Sequence, residues 1–99
     1  PPRSTLFPYT TLFRSKYAAV ELGEMGIRVN AISGGPIDTD ALKAFPNYEE
    51  IKNDVIKRAS VKRIGSVEDM ANAAYFICSK EASWITGETL VIDGGSSFK

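Results

Sequence analysis

Ser33-Gly34-Gly35-Pro36-Ile37-Asp38-Thr39 is the stretch whose residue types and order are best suited to chemistry. It follows Arg28–Ile32, a run rich in Val and Ile that reads as a short strand opening just after a helix stop at Gly26. Two glycines let the backbone bend and lie close to a ligand, and bare backbone offers N–H and C=O groups to a neutral polar partner. In open α/β sheets, ligands sit at loops on the carboxyl ends of strands. On residue types alone, Gly34-Gly35 fits a plain turn as well as a ligand cradle.

Other chemistries are excluded by what the chain lacks. It contains no His, which removes Ser-His-Asp and Cys-His catalysis and the commonest zinc ligand, so no metal site is expected. Its one cysteine, Cys78, rules out a disulfide framework and, within an apolar helical pattern, reads as a small core residue. The formal net charge is zero, which gives no reason to expect nucleic acid or an anionic membrane as partner. No apolar run approaches ~18 residues, so no span of a bilayer is expected. Ninety-nine residues make one small domain or a piece of a larger one.

Residues 1–15 stand apart from the rest. They hold no acidic residue and no period that would bury one face. Thr5–Ser15, TLFPYTTLFRS, looks like the direct translation of a widely used sequencing-library adapter, with every codon matching and Arg3-Ser4 as the end of a preceding copy. A targeting presequence would need an amphipathic helix, which Pro8 interrupts, and an unusual disordered tail is the plain alternative. Residues 1–15 are expected to be a non-native, disordered tail. Leaving them aside removes two arginines, and residues 16–99 carry a net charge of −2, an ordinary cytoplasmic balance.

The elements that must position the glycine loop follow from spacing. Lys16–Met25 reads as the last turns of a helix with Gly26 at its left-handed C′ position. Thr39 or Asp40 caps a short helix, Ala41–Phe45, which Pro46 stops. Asn47 with Glu50 has capping-box spacing and opens a helix with Ile51, Val55, Ile56 and Ala59 on one face. Ser66 with Asp69 forms a second such box, opening a helix with a stripe of Val67, Met70, Ala71, Ala74, Ile77 and Cys78. Thr89–Ile92 is a continuous apolar strand of the kind buried on both faces of a parallel sheet, ended by Asp93-Gly94-Gly95. More than fifty residues separate the two strands, so they should be parallel.

Taken in order, these residues resemble the C-terminal third of a short-chain dehydrogenase/reductase. The resemblance rests on Ala19-Val20-Glu21-Leu22, Gly26–Ile32, the glycine loop ending in Ile37-Asp38-Thr39, Arg63-Ile64-Gly65, Ile85-Thr86-Gly87 and Val91–Gly95. It covers essentially all of residues 16–99 and implies the C-terminal part of a Rossmann-like, doubly wound parallel α/β sheet. Gly34-Gly35 stands where the usual pattern has Pro-Gly. With Ile37-Asp38-Thr39-Asp40-Ala41-Leu42 and Phe45-Pro46-Asn47, that version is similar to the NADPH-dependent type III enoyl-acyl-carrier-protein reductases of bacteria. The alternative is a 3-oxoacyl-carrier-protein reductase or another short-chain dehydrogenase of the family.

The resemblance implies a cofactor loop, for NADPH or NADH. Gly34 and Gly35 allow close approach, the Ile37 backbone pairs with the nicotinamide carboxamide, and the Thr39 hydroxyl reaches the carboxamide or the pyrophosphate. It also implies a substrate lid over Ala41–Ala59, led by Ala41, Leu42 and Phe45, covering an enoyl thioester on acyl carrier protein or coenzyme A. The parent would be a cytoplasmic homotetramer of fatty-acid synthesis. The family's glycine-rich first turn, catalytic Tyr and catalytic Lys have no counterparts here, so no catalytic residue is assigned and the chain is expected to be inactive. Tyr9 and Lys16 mimic the Tyr–Lys spacing, but Lys16 lies roughly two helical turns too close to Val20-Glu21-Leu22. Two other readings remain: a small binding module without catalysis, and a chain whose two strands lack the neighbours needed for stable folding. Lys57, Arg58, Lys62 and Arg63 read as a solvated basic face, and Tyr48, Tyr75 and Trp84 as packing residues.

Overall fold

The computed structural model describes residues 14–96. In order these are helix α1 (residues 14–23), strand β1 (Ala31–Gly34), helices α2 (Asp40–Lys43), α3 (Tyr48–Arg58) and α4 (Val67–Cys78), a 3₁₀ turn (Lys80–Ala82) and strand β2 (Thr89–Ile92). β1 and β2 form a two-stranded sheet. Ala31 N donates to Glu88 O (2.8 Å) and Gly35 N to Ile92 O (2.9 Å), so both strands advance together and the pair is parallel, as the long connection requires. The adapter-like residues 5–13, with Tyr9, lie outside the described residues. Arg14 and Ser15, assigned to the tail by sequence, are helical because nothing breaks the turn that leads into Lys16.

The described chain divides into two compact units, residues 14–32 with 76–90 and residues 33–75 with 91–96. In the first, Ala19, Ile77 and Ala82 are buried. α1 ends as its sequence dictates. Gly26 sits at φ +77°, Ile27 N bonds back to Leu22 O and Gly26 N to Gly23 O, each at 3.0 Å. This 6→1 and 5→2 pair is a Schellman stop.

The strand that follows starts later than its composition suggests. Residues 27–30 are irregular because side chains take most of the bonds to the facing loop, with Gly87 N to Val29 O (2.7 Å) the backbone bond among them. Val29 N donates to Thr86 Oγ1 (3.1 Å), and Asn30 bridges the facing loop through Nδ2 to Ile85 O and Oδ1 from Glu88 N, both 3.0 Å. The Arg28 guanidinium collects three carbonyls, Ile77 O (2.9 Å), Ile85 O (3.0 Å) and Ser79 O (3.2 Å). Arg28 is thus the residue that closes the carboxyl end of α4.

In the second unit Val55, Ala59 and Ile64 are buried. α3 buries the face expected of it. Its N-cap residue Asn47 makes no side-chain cap bond, contrary to the box spacing, because at φ −100°, ψ 31° it lacks the extended backbone that aims a cap side chain inward. The Ser66–Asp69 box forms in full: Asp69 N donates to Ser66 Oγ (3.2 Å) and Ser66 N to Asp69 Oδ2 (2.8 Å). Arg63 adds a two-pronged pair to the same carboxylate, at 2.6 and 3.0 Å.

Arg63 is the main reason the Asp69 carboxyl is held well below the usual carboxylate range, with the Ser66 N–H and hydroxyl adding to it. A group whose folded pKa is depressed contributes stability that is complete above its unfolded value, about 4, and is lost as pH falls toward the folded value. Asp69→Asn is therefore expected to flatten the acid side of the stability profile, read as urea midpoints between about pH 2 and pH 6.

Four packing expectations are corrected. Cys78 is exposed, not a core residue. Met70, Ala74 and Ile77 form the half-buried to buried line of α4, and Val67, Ala71 and Cys78 fall on a flanking line that stays exposed. Tyr75 and Trp84 are 79% and 97% exposed and pack on little. β2 is not buried on both faces, since Val91 is 53% exposed among the described residues.

Candidate functional site

The glycine loop is held at both ends by backbone. At its start Gly35 N reaches Ile92 O, and farther on Asp38 N donates to Gly65 O at 2.8 Å, closing a parallel bridge between Ile37 and Gly65. Thr39 N turns back onto Ile37 O at 2.9 Å. Neither Gly34 nor Gly35 has a positive φ, so the loop does not need glycine for a left-handed bend. It needs glycine for room. A Cβ on Gly35 would lie 2.8 Å from Asp93 Cβ and 3.0 Å from Asp93 Cα, whereas one on Gly34 would meet only the flexible end of Met70, at 2.7 and 2.9 Å. On the side of its absent Cβ, Gly35 admits the chain's own Asp93 turn.

Thr39 is the N-cap of α2, its backbone extended at φ −96°, ψ 163°, and Oγ1 accepts from Leu42 N at 3.2 Å. The hydroxyl hydrogen is a separate donor that capping leaves for another acceptor. Ala41 and Phe45 are exposed and Leu42 is half-buried. Val55 and Ala59, at 4% and 1% exposure, spend the apolar face of α3 on packing within the unit. Ahead of α3, Leu42 and Phe45 are the large apolar side chains left partly or wholly exposed.

One further group, Tyr48, joins the site, where sequence reading makes it a packing residue. The Tyr48 hydroxyl donates to Asp38 Oδ1 at 2.6 Å, joining the first residue of α3 to the middle of the loop. That bond to the carboxylate is the chief cause that pushes the phenol up to about 12. The Lys52 ammonium lies 5.8 Å from the Tyr48 ring centroid, within cation–π range. No local spacing announces the pair, because ten residues and the Pro46 turn separate its members. A cavity of about 120 Å³ lies beside Pro36, Ile37, Val55, Val61 and Ile92. Small-molecule sites span roughly 300–1,000 Å³, so it is a packing gap and not the place for a dinucleotide.

The N–H groups of Gly35, Asp38 and Thr39 are engaged within the chain, so backbone carbonyls and the Thr39 hydroxyl are the polar groups this loop brings to a neutral amide. Among the described residues no cluster of acidic, His or Cys side chains fits a metal ion, and no helix is long and apolar enough to cross a membrane. Tyr17, which follows Lys16, is an exposed helix residue. Lys16 itself donates from Nζ to Gly87 O at 3.0 Å.

A model of the family described as enoyl-(acyl carrier protein) reductase matches residues 12–97. The chain is 46% identical over 77 residues to the 7alpha-hydroxysteroid dehydrogenase of Escherichia coli strain K12, covering 78% of this chain and 30% of that protein. It is 43% identical over 84 residues to the NADH enoyl-[acyl-carrier-protein] reductase FabI of Haemophilus influenzae, covering 85% of this chain and 32% of that protein. In structure it resembles a short-chain type dehydrogenase/reductase from Mycobacterium ulcerans with a TM-score of 0.83 and 36% identity, over 92% of this chain and 33% of the other. The chain thus spans about a third of the length of the relatives it matches.

Proposed function

The chain belongs to the short-chain dehydrogenase/reductase family, with the α/β parallel-sheet fold of that family's dehydrogenases, and from that premise we propose that Gly34–Thr39 is the nicotinamide-holding loop of a reductase acting on an enoyl thioester. The observation that carries the proposal is the loop itself, fixed at the carboxyl end of β1 by the Gly35 and Asp38 N–H bonds, with the Thr39 hydroxyl beside it. Bound NADPH or NADH supplies hydride. The chain's own residues bind and orient: the Ile37 backbone pairs with the carboxamide, the Thr39 hydroxyl donates to the carboxamide or pyrophosphate, and Gly34 and Gly35 keep the backbone close. Ala41, Leu42 and Phe45 cover the acyl portion of the substrate and keep water away from it. What supports the enoyl assignment, and the type III kind within it, is the matched family model together with Ser33-Gly34-Gly35 and Ile37–Leu42.

The 46% identity to a hydroxysteroid dehydrogenase favours a second reading, oxidoreduction at a carbonyl carbon, which also accommodates a 3-oxoacyl thioester. The parent is read as a cytoplasmic homotetramer serving acyl-carrier-protein or coenzyme A substrates. Residues 5–15 are read as translated adapter sequence, and the 99-residue chain as catalytically silent.

Titrating the full chain with NADPH is expected to give saturation-transfer signals from the nicotinamide protons, reduced severalfold by Thr39→Val. No oxidation at 340 nm is expected with an enoyl or a 3-oxoacyl thioester. Absent nicotinamide signals would remove the loop assignment, and measurable turnover would overturn the inactive reading while showing which thioester is preferred.

A further inference from the structure

The backbone bonds of the loop leave the Asp38 side chain free of any part in them, yet its carboxylate takes a 2.6 Å bond from the Tyr48 hydroxyl. Tyr48 is half-buried, and Lys52 steadies its ring from the next turn of α3. Between the two partners lie Thr39, the whole of α2 and the turn at Phe45–Asn47, where Tyr48 N also bonds back to Phe45 O at 3.1 Å. One side-chain bond therefore closes a ring of eleven residues containing Thr39, Ala41, Leu42 and Phe45. α2 is a single turn, too short to hold its own shape in water. Its order must come from its Thr39 cap, its covalent ends and this closure.

We propose that Tyr48 is a positioning residue: by clasping Asp38 it fixes the Pro36–Thr39 turn against the start of α3, so that α2 and the cofactor-contacting groups are ordered before a ligand arrives. The inference rests on the reading of Gly34–Thr39 as a cofactor loop, and adds to it the residue that sets the loop's shape from outside. Such preorganisation improves affinity by removing the cost of ordering at the moment of binding, and a binding-competent fraction lowered tenfold weakens apparent affinity tenfold.

The test uses the full chain and four variants, Tyr48→Phe, Asp38→Ala, Asp38→Asn and the double variant Asp38→Ala/Tyr48→Phe. Two quantities are read: amide hydrogen exchange over residues 37–44, and NADPH affinity from nicotinamide saturation transfer. Circular dichroism confirms that helix content is kept, which Tyr48→Phe, the loss of one oxygen, should not change. Tyr48→Phe and Asp38→Ala are each expected to speed exchange about tenfold, the double variant no more than either alone, because the two remove one shared bond. Asp38→Asn keeps an oxygen acceptor and is expected to stay near the parent chain.

NADPH affinity should fall in the same order. Unchanged exchange in Tyr48→Phe, or additive effects in the double variant, would overturn the clasp. Faster exchange with NADPH affinity equal to the parent's would overturn its positioning role. If no protein binds NADPH but the exchange order holds, the clasp stands and the cofactor-loop reading is what fails.

Discussion

Arg28→Ala is expected to destabilise the chain by about 3 kcal/mol, the largest loss from a single polar side chain among the described residues. Arg28 donates to three carbonyls, Ile77 O, Ser79 O and Ile85 O, at 2.9–3.2 Å in a part-buried setting. Ile77 and Ser79 bracket the carboxyl end of α4, where unpaired carbonyls carry the negative end of the helix dipole. A guanidinium there satisfies acceptors and opposes that partial charge at once, and hydrogen bonds to a charged group are worth roughly 1.5–3 kcal/mol each, though not additively. Removing it takes the guanidinium from all three, although Ser79 O keeps Ala82 N (3.1 Å) and Ile85 O keeps Asn30 Nδ2 (3.0 Å), so Ile77 O is the carbonyl most exposed to the loss.

Arg28→Lys separates the two contributions. It keeps the charge but not the planar fork that reaches three oxygens, and is expected to recover less than half of the loss. Urea unfolding followed by circular dichroism measures both. A loss below about 1 kcal/mol for Arg28→Ala would mean that solvent replaces the guanidinium at those carbonyls, the behaviour of an exposed pair.

The features legible in the sequence were those fixed within a few residues. Gly26 announced its left-handed stop, Ser66 and Asp69 their reciprocal cap, and Thr89–Ile92 its strand, because each depends on partners no more than a turn away or on a run of one residue type. What could not be read depended on distant partners. The Val-Ile character of Arg28–Ile32 predicts a strand starting at Arg28, but side-chain bonds from Val29 N to Thr86 Oγ1 and from Asn30 to Ile85 and Glu88, some fifty residues away, displace the ladder to Ala31. Asn47 had the right type and spacing for a cap and the wrong backbone angles. Trp84 had the composition of a packing residue and lies exposed, since type records a preference and not whether a neighbour exists. In the candidate site the loop's place after a strand was legible, while Tyr48 entered it through a contact that no periodicity encodes.

The same contrast between type and environment decides what Gly35 does. A glycine in a ligand loop is ordinarily explained by the ligand, which needs the backbone to come close. Gly35 is already required by its own chain. A methyl group there would sit 2.8 Å from Asp93 Cβ and 3.0 Å from Asp93 Cα, and a Cα belongs to backbone that cannot swing aside. Relief would have to separate the end of β1 from the end of β2, stretching the 2.9 Å bond from Gly35 N to Ile92 O, or shift the Asp93 turn. That turn is stiffly made: Gly95 N donates to Asp93 Oδ1 at 2.9 Å, and Gly94 O accepts from both Ser60 N and Val61 N at 2.9 Å. Gly35→Ala is therefore expected to cost about 2 kcal/mol, in the range of overpacking in a filled site.

Gly34→Ala is the matched control. Its methyl would meet only the terminal Sδ and Cε of Met70, a flexible side chain with other rotamers to adopt, so its cost should stay below about 1 kcal/mol. Urea midpoints for the two variants, measured together, test the difference. Equal losses would mean that the Asp93 turn yields as easily as Met70 does. The expected order would also show that Gly35 is required by the Asp93 turn of its own chain, whatever the loop binds.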